Sequence, residues 1–425
     1  MTLKREYIVP FLKTTVMAVV VSFYLFPVGF VGLPESLNTK QMLAVMGAAI
    51  FVLRCAERRA LNFDFSIFMS FIIAVAFSVW CYFCCVAGNT ADYAYATYFL
   101  SFLVWTGAAY AVCTILSAGH GELNLEILTR YIALVCVVQC GIVLLVDHYP
   151  GVMNFVDSHF IQDITPKKVH RLYGIGCSLD SGGVRMCMAE ILIAHQLVHR
   201  PSGARIRFQA MYIVALIIIA VIGNMIARTT TVGLLLALIY LLLNDERLKR
   251  HLISSSGIRK FVLSFFLILI GVSVCVYLYR TNPSGHKDIR FAFEGFFNLF
   301  EKGEFTTGST ETLNSRMWVW PWDSRGWLMG YGLFEWSHWY ASGIQTDIGY
   351  CRFTLYCGLI GLTIFSLYFI YNARVVSRRF RNADFLAFFL IALTFIIWIK
   401  VSTDIFQLYA LLFCLPHEGR STMLK

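Results

Sequence analysis

Residues 209–244 read QAMYIVALIIIAVIGNMIARTTTVGLLLALIYLLLN. Two apolar runs, 209–226 and 228–244, are separated only by Ala227 to Thr231, and a single charge, Arg228, stands in the break. A membrane-crossing helix needs about 20 apolar residues. The pair therefore reads as two spans joined by a tight turn or as one broken helix. The same scale applied outward marks further candidate spans at 11–31, 41–53, 64–87, 91–117, 127–146, 182–198, 258–279, 350–372, 384–400 and 402–416. Over 425 residues, 58% are hydrophobic and 14% charged, where a soluble domain has about 45–50% and about 25%. That composition excludes a soluble globule, a disordered chain and a secreted disulfide scaffold. The expected fold class is all-α, a polytopic integral membrane bundle of about 12 helices. Nine helices are expected in 1–279, with an outer loop at about 147–181. A large loop follows at 280–349, and three helices and a C-terminus occupy 350–425.

The net charge of +10 comes from 35 Lys and Arg spread between apolar runs. No basic stripe with interleaved aromatics stands out, so no nucleic-acid partner is expected. The charge reads as topology. Arg54, Arg58, Arg59, Arg130, Arg200, Arg205, Arg207, Arg247, Lys249, Arg250, Arg374, Arg378, Arg379 and Arg381 fall in alternate short connections, with the basic N-terminus on their side. The opposite short connections hold Lys40, Arg228 and Lys400. The positive-inside rule then places both termini in the cytoplasm. The first apolar run follows Lys4, Arg5 and Lys13 with no small-residue cleavage site, so it is expected to remain as a span. Most of the 13 cysteines lie in apolar runs. Cys81, Cys84 and Cys85 include a CxxC without a nearby His, which fits small apolar packing better than a metal site.

The long connections 147–181 and 280–349 are where chemistry is expected, since function collects on loops held by a rigid scaffold. Ile289 to Lys302 has the pattern of a short amphipathic helix at a membrane surface. Residues 315–327 carry four Trp with Arg316, Asp323 and Arg325, a composition suited to the polar edge of a bilayer. An Arg at mid-membrane costs about 2.5–3.5 kcal/mol on insertion scales. Arg228 is accordingly either an interfacial anchor or an anion ligand. Arg171, in HRLYGIGCSLDSGG, stands in a Gly- and Ser-rich loop that allows close backbone approach to a ligand. Arg185 can snorkel or pair with Asp180, and Arg316 can stack on the tryptophans beside it. Guanidinium groups grip phosphate bidentately, so three arginines at one cavity would clamp a lipid diphosphate. Glu335, His338 and Asp347 are the acid–base candidates, and Asp404 reads as an ion pair with Lys400 or a helix cap.

Taken in order, these residues form a pattern. Arg171 and Gly174 precede a span, Arg228-Thr229-Thr230 opens another, and Arg316-Met317-Trp318 lies in the large loop. Gly330-Tyr331-Gly332 follows, and Asp347-Ile348-Gly349-Tyr350-Cys351-Arg352 opens a Gly-rich span. Over about residues 165–365 the chain resembles the superfamily of O-antigen polymerases (Wzy-type) and O-antigen ligases. Ligases and many polymerases of that superfamily have His-Asn where this chain has Thr346-Asp347, which favours polymerase over ligase. The resemblance implies an inverting, metal-independent glycosyltransferase with a GT-C-like fold and no cofactor. Its donor and acceptor would be undecaprenyl-diphosphate-linked glycans. Arg171, Arg228, Arg316, Arg352 and Tyr350 would bind diphosphate, and Asp347 or His338 would act as base. The implied location is the lipid bilayer of a bacterial inner membrane, with the active site facing the periplasm and a polysaccharide chain-length regulator as partner. The alternatives are an O-antigen ligase acting on lipid A core and a lipid-linked oligosaccharide transporter. No internal repeat is evident and the polar residues concentrate on one face, which favours an enzyme over a transporter.

Overall fold

The structure, a computed structural model, describes residues 5–34, 37–59, 64–161, 171–199, 206–244, 290, 294–304, 306–334 and 346–417. Its elements run α1 (Arg5–Leu25), β1 (Gly29–Phe30), α2 (Thr39–Arg58), α3 (Phe65–Gly88), α4 (Tyr98–His120), α5 (Leu125–His148), α6 (Pro150–His159) and β2 (Phe160–Ile161). They continue with α7 (Leu179–Val198), α8 (Ile206–Ile226), α9 (Thr230–Asn244), α10 (Glu294–Lys302) and α11 (Gly308–Thr312), then a π-helical turn (Leu313–Met317). The last four are α12 (Ser324–Met329), α13 (Gly349–Arg379), α14 (Asp384–Ile397) and α15 (Phe406–Phe413). Among the described residues the strands amount to one antiparallel ladder, with Gly29 opposite Ile161. Among the described residues six helices, α2, α3, α4, α5, α8 and α13, are long and apolar enough to cross a membrane. The chain is an all-α membrane protein.

The break expected between 226 and 231 is present, with α8 ending at Ile226 and α9 starting at Thr230. A helix in the stretch 289–302 is present as α10, over Glu294–Lys302. The expected span at 258–279 lies outside the described residues. Two expectations are corrected. The run 402–416 contains only the eight-residue α15, about 12 Å long at 1.5 Å per residue and too short to cross a bilayer unaided. Its start is fixed by Asp404, whose Oδ1 accepts the Phe406 N–H (2.8 Å) while Oδ2 accepts the Tyr98 hydroxyl (3.0 Å). Asp404 is thus a cap. The run 91–117 becomes helical only at Tyr98, because α3 ends on left-handed Asn89 (φ 51°) and the residues after it form turns.

The chain divides into two compact units, one of Met1–Val135, Ser158–Ile161 and Thr312–Lys425, the other of Cys136–Asp157 and Gln162–Glu311. The first unit has an aromatic core. The fully buried ring of Phe365 stacks on Phe77 (4.4 Å) and Trp398 (5.4 Å), with Tyr98 and Phe353 edge-on around it. Offset and edge-to-face pairs suit the ring quadrupoles, and packing of this kind is what joins helices where lipid removes the hydrophobic drive. Where α3 starts and α13 ends, a charged knot ties three parts of the chain together. Arg379, 4% exposed, donates to the Asp64 carboxylate and to the Phe413 carbonyl. His417 Nε2 lies 3.3 Å from the same Asp64 oxygen. Asp64, Arg379 and His417 all adjoin connections that the charge pattern assigns to a single side.

In the second unit α7 packs on α8 and α9. Most of α7 from Gly182 to His195 is buried, whereas Ile213 and Ile217 of α8 and Leu235, Leu238 and Leu242 of α9 face outward. A helix buried all round belongs at a centre, and the apolar outer faces suit lipid. Within α7 lie Glu190, wholly buried, and His195, 4% exposed. An isolated carboxylate in such a medium would carry a Born cost of tens of kcal/mol.

Removing one partner of a buried ion pair strands the other. Asp64→Ala should therefore lower unfolding stability in detergent by about 3–5 kcal/mol. Adding Arg379→Leu to that variant should restore much of the loss, because no uncompensated charge then remains.

Candidate functional site

In the first unit the polar residues collect around a deliberate break in α13. Gly358 takes a left-handed conformation (φ 67°) inside the helix, and the carbonyls it frees find partners outside α13. The N–H groups of Tyr331 and Gly332 donate to Leu355 (2.7 Å) and Tyr356 (2.9 Å), and Trp80 Nε1 donates to Cys357 (2.8 Å). The Gly-Tyr-Gly motif is thus the cradle of the break. It is reached through α12, whose N-cap Asp323 accepts Gly326 N–H and the Tyr331 hydroxyl, each at 2.8 Å. These hydrogen bonds, the Tyr331 hydroxyl first, hold the exposed Asp323 carboxyl below its ordinary value. Lowered in the fold, that carboxyl contributes to the cap at neutral pH and stops doing so as pH falls through its folded value. Arg325 donates to the Ala87 carbonyl at the end of α3, a cation at the negative end of a helix dipole.

Nearly two turns before the break, Arg352 lies over the Phe334 ring (4.2 Å) and donates to Ser402 Oγ (3.2 Å), with Asp347 and Asp92 as its acidic neighbours. Asp92 Oδ2 accepts the Phe334 N–H (2.5 Å), and its carbonyl accepts the Tyr356 hydroxyl (2.7 Å). Asn89–Ala94 and Leu333 line a cavity of about 510 Å³. Asp347, a candidate base, immediately precedes Ile348, the N-cap residue of α13, which has no side-chain cap; the Thr346 hydroxyl accepts the Ile348 N–H (3.2 Å). The Tyr350 hydroxyl donates to the Phe395 carbonyl (3.0 Å). Arg316 is exposed in the π-helical turn, followed by Trp318, Trp320 and Trp327, the last two stacked at 5.5 Å. His338 and Glu335 lie outside the described residues.

The second unit holds the other two arginines. Arg228, in the break between α8 and α9, forms an ion pair with Glu294 of α10 (2.7 Å), the two side chains 18% and 27% exposed. Arg171 and Asp180 are its other charged neighbours. Asp180, at the start of α7, accepts the Thr229 hydroxyl (2.5 Å), so the α7 and α9 N-termini are tied beside Arg228. The loop carrying Arg171 is fixed by Gly174 N–H to Cys177 carbonyl (2.7 Å) and by Gln139 Nε2 to the Ile175 carbonyl (2.9 Å). Arg185 reaches the Gly176 carbonyl (3.5 Å). Arg171 and Arg228 are therefore neighbours in one unit, whereas Arg316, Arg352, Tyr350 and Asp347 belong to the other. Sequence reading missed Asp92, Ser402 and Glu294. The only signal for Glu294 was its place in the amphipathic stretch.

A Cβ at position 358 would stand 2.2 Å from the Leu328 carbonyl oxygen, on top of a left-handed backbone. Gly358→Ala should cost about 2–5 kcal/mol, read by thermal unfolding in detergent, with Trp80 fluorescence changing as its carbonyl partner moves. Comparison with protein-family models, with curated proteins and with solved structures finds no match to this chain.

Proposed function

We propose that the chain is a surface-polysaccharide polymerase, an inverting, metal-independent glycosyltransferase. It joins undecaprenyl-diphosphate-linked repeat units at the periplasmic face of a bacterial inner membrane. The observation that carries the proposal is the neighbouring pair Arg171 and Arg228 in a helix break, with a carboxylate oxygen of Glu294 already on the Arg228 guanidinium. A guanidinium that accepts a carboxylate accepts a phosphate in the same geometry. Two of them at the N-termini of α7 and α9, where helix dipoles also favour anions, make a site for a diphosphate.

In this reading an acceptor hydroxyl attacks the anomeric carbon of the donor glycan with inversion. The bond to the lipid diphosphate breaks, and its electron pair leaves on the phosphate oxygen. Arg171 and Arg228 stabilise that developing charge. The hydroxyl proton passes to a general base. Asp347 or His338 as that base, and Arg316, Arg352 and Tyr350 as diphosphate ligands, rest on the sequence resemblance alone. A second reading, transport of a lipid-linked oligosaccharide, is favoured by Glu190 and His195 within α7, since ionisable groups inside the membrane often line a translocation path.

The test is surface polysaccharide length, read by gel ladder in a deletion strain complemented with each variant at matched expression. Loss of one preorganised donor to the transition-state charge costs on the order of 10²–10³ in rate. Arg228→Ala should collapse the ladder to lipid A bearing a single repeat unit. Arg228→Lys should recover it only in part, because an ammonium cannot grip two oxygens in the same plane. Lipid A with no repeat unit at all would instead favour the ligase or the transporter, and an intact ladder would remove Arg228 from the chemistry.

A further inference from the structure

Glu190 stands midway along α7, ten residues after Asp180 and five before His195, or about 15 Å and about 7.5 Å along the axis. It has no solvent exposure, and neither carboxyl oxygen has a hydrogen-bond partner among the described residues. The space it fills is made by Gly233 of α9, where a Cβ would lie 2.4 Å from Glu190 Oε2 and 2.4 Å from the Cys187 Cα. The groups facing it are nearly all neutral. α5 presents Cys136 and Cys140, and α9 carries Thr230 and, nearly three turns on, Tyr240. α8, packed on α7, carries Tyr212. On α7 itself Cys187 adjoins it, with Arg185 and His195 five residues to either side. Buried carboxyls are held by a counter-charge, a metal or a proton. Cations such as sodium or calcium need several oxygen ligands, and no cluster of three His, Cys, Asp or Glu able to hold a metal exists among the described residues. A proton needs only the one carboxyl.

We propose that Glu190 is a proton-binding site inside the membrane, which exchanges its proton with water through the polar ends of the α7–α9 seam. At one end the Thr230 hydroxyl, itself buried, leads to the Thr229–Asp180 pair. At the other His195 Nδ1 meets the Tyr240 hydroxyl (2.8 Å), with the His199 ring 4.4 Å beyond. A neutral imidazole has one N–H donor and one nitrogen acceptor, and a hydroxyl has both, so the pair can relay a proton without either group staying charged. This inference is independent of the glycosyltransferase reading.

The test is dicyclohexylcarbodiimide labelling of the full-length protein in lipid vesicles, followed by peptide mapping. The acid proton moves to a carbodiimide nitrogen, the carboxylate oxygen adds to the central carbon, and an acyl shift leaves a stable N-acylurea. We expect an adduct on the Glu190 peptide, absent in Glu190→Gln, with labelling that falls tenfold or more as rising pH removes the carboxyl proton. No adduct at Glu190, or a yield that stays flat with pH, would overturn the proposal. A yield set by sodium at constant pH would overturn it in favour of a cation site. The wild-type map decides even if Glu190→Gln fails to fold, and none of these outcomes bears on the polysaccharide ladder.

Discussion

Every backbone carbonyl inside a bilayer needs a partner, because no water is there to supply one. That requirement explains the shape of the first unit's functional end. Gly358 interrupts α13, and the carbonyls of Leu355, Tyr356 and Cys357 must be met from elsewhere. The donors that meet them, Tyr331, Gly332 and Trp80, fix the path of the chain after α12. That path places Phe334 under Arg352 and against Asp92. The polar cluster is thus a consequence of a helix break and its repair, and the tryptophan-rich stretch is held at that end through the Asp323 cap and Tyr331.

The two units handle polar burial differently. The first surrounds its charges with partners, so that Arg379 has a carboxylate, a carbonyl and an imidazole around it. The second keeps its arginines near a helix break, where α10 brings Glu294, but buries Glu190 deep in the α7–α9 seam against a glycine. An acid so placed has few explanations besides a proton, and that contrast separates a group retained for packing from one retained for exchange.

Features set by length and local composition were legible in the sequence. Apolar runs of span length, the break at Ala227–Thr231 and the amphipathic stretch before Lys302 each declare themselves within a short window. Arg171, Arg228, Arg316 and Arg352 were visible as charges in an apolar chain. Features that need a distant partner were not legible. Nothing near Asp92 shows that it will hold a residue more than 200 positions away. Glu190 sits in MAEILIAH, where a single acid in an apolar helix reads as incidental until its surroundings are known. The last apolar run misled because hydrophobicity continues past Asp404 while the helix does not start until Phe406.

The first unit is interrupted in sequence by the second: its last part, from Thr312 onward, follows 150 or so residues that belong elsewhere. During synthesis, which proceeds at about 5–20 residues per second, the second unit has all its residues while the first still lacks α13 to α15. Phe77 waits for Phe365, and Asp64 for Arg379. Ribosomes that terminate early, or proteases that cut between the units, would therefore leave α1–α4 as an orphaned half with exposed aromatic faces. Quality control can recognise such a fragment by those unpaired faces.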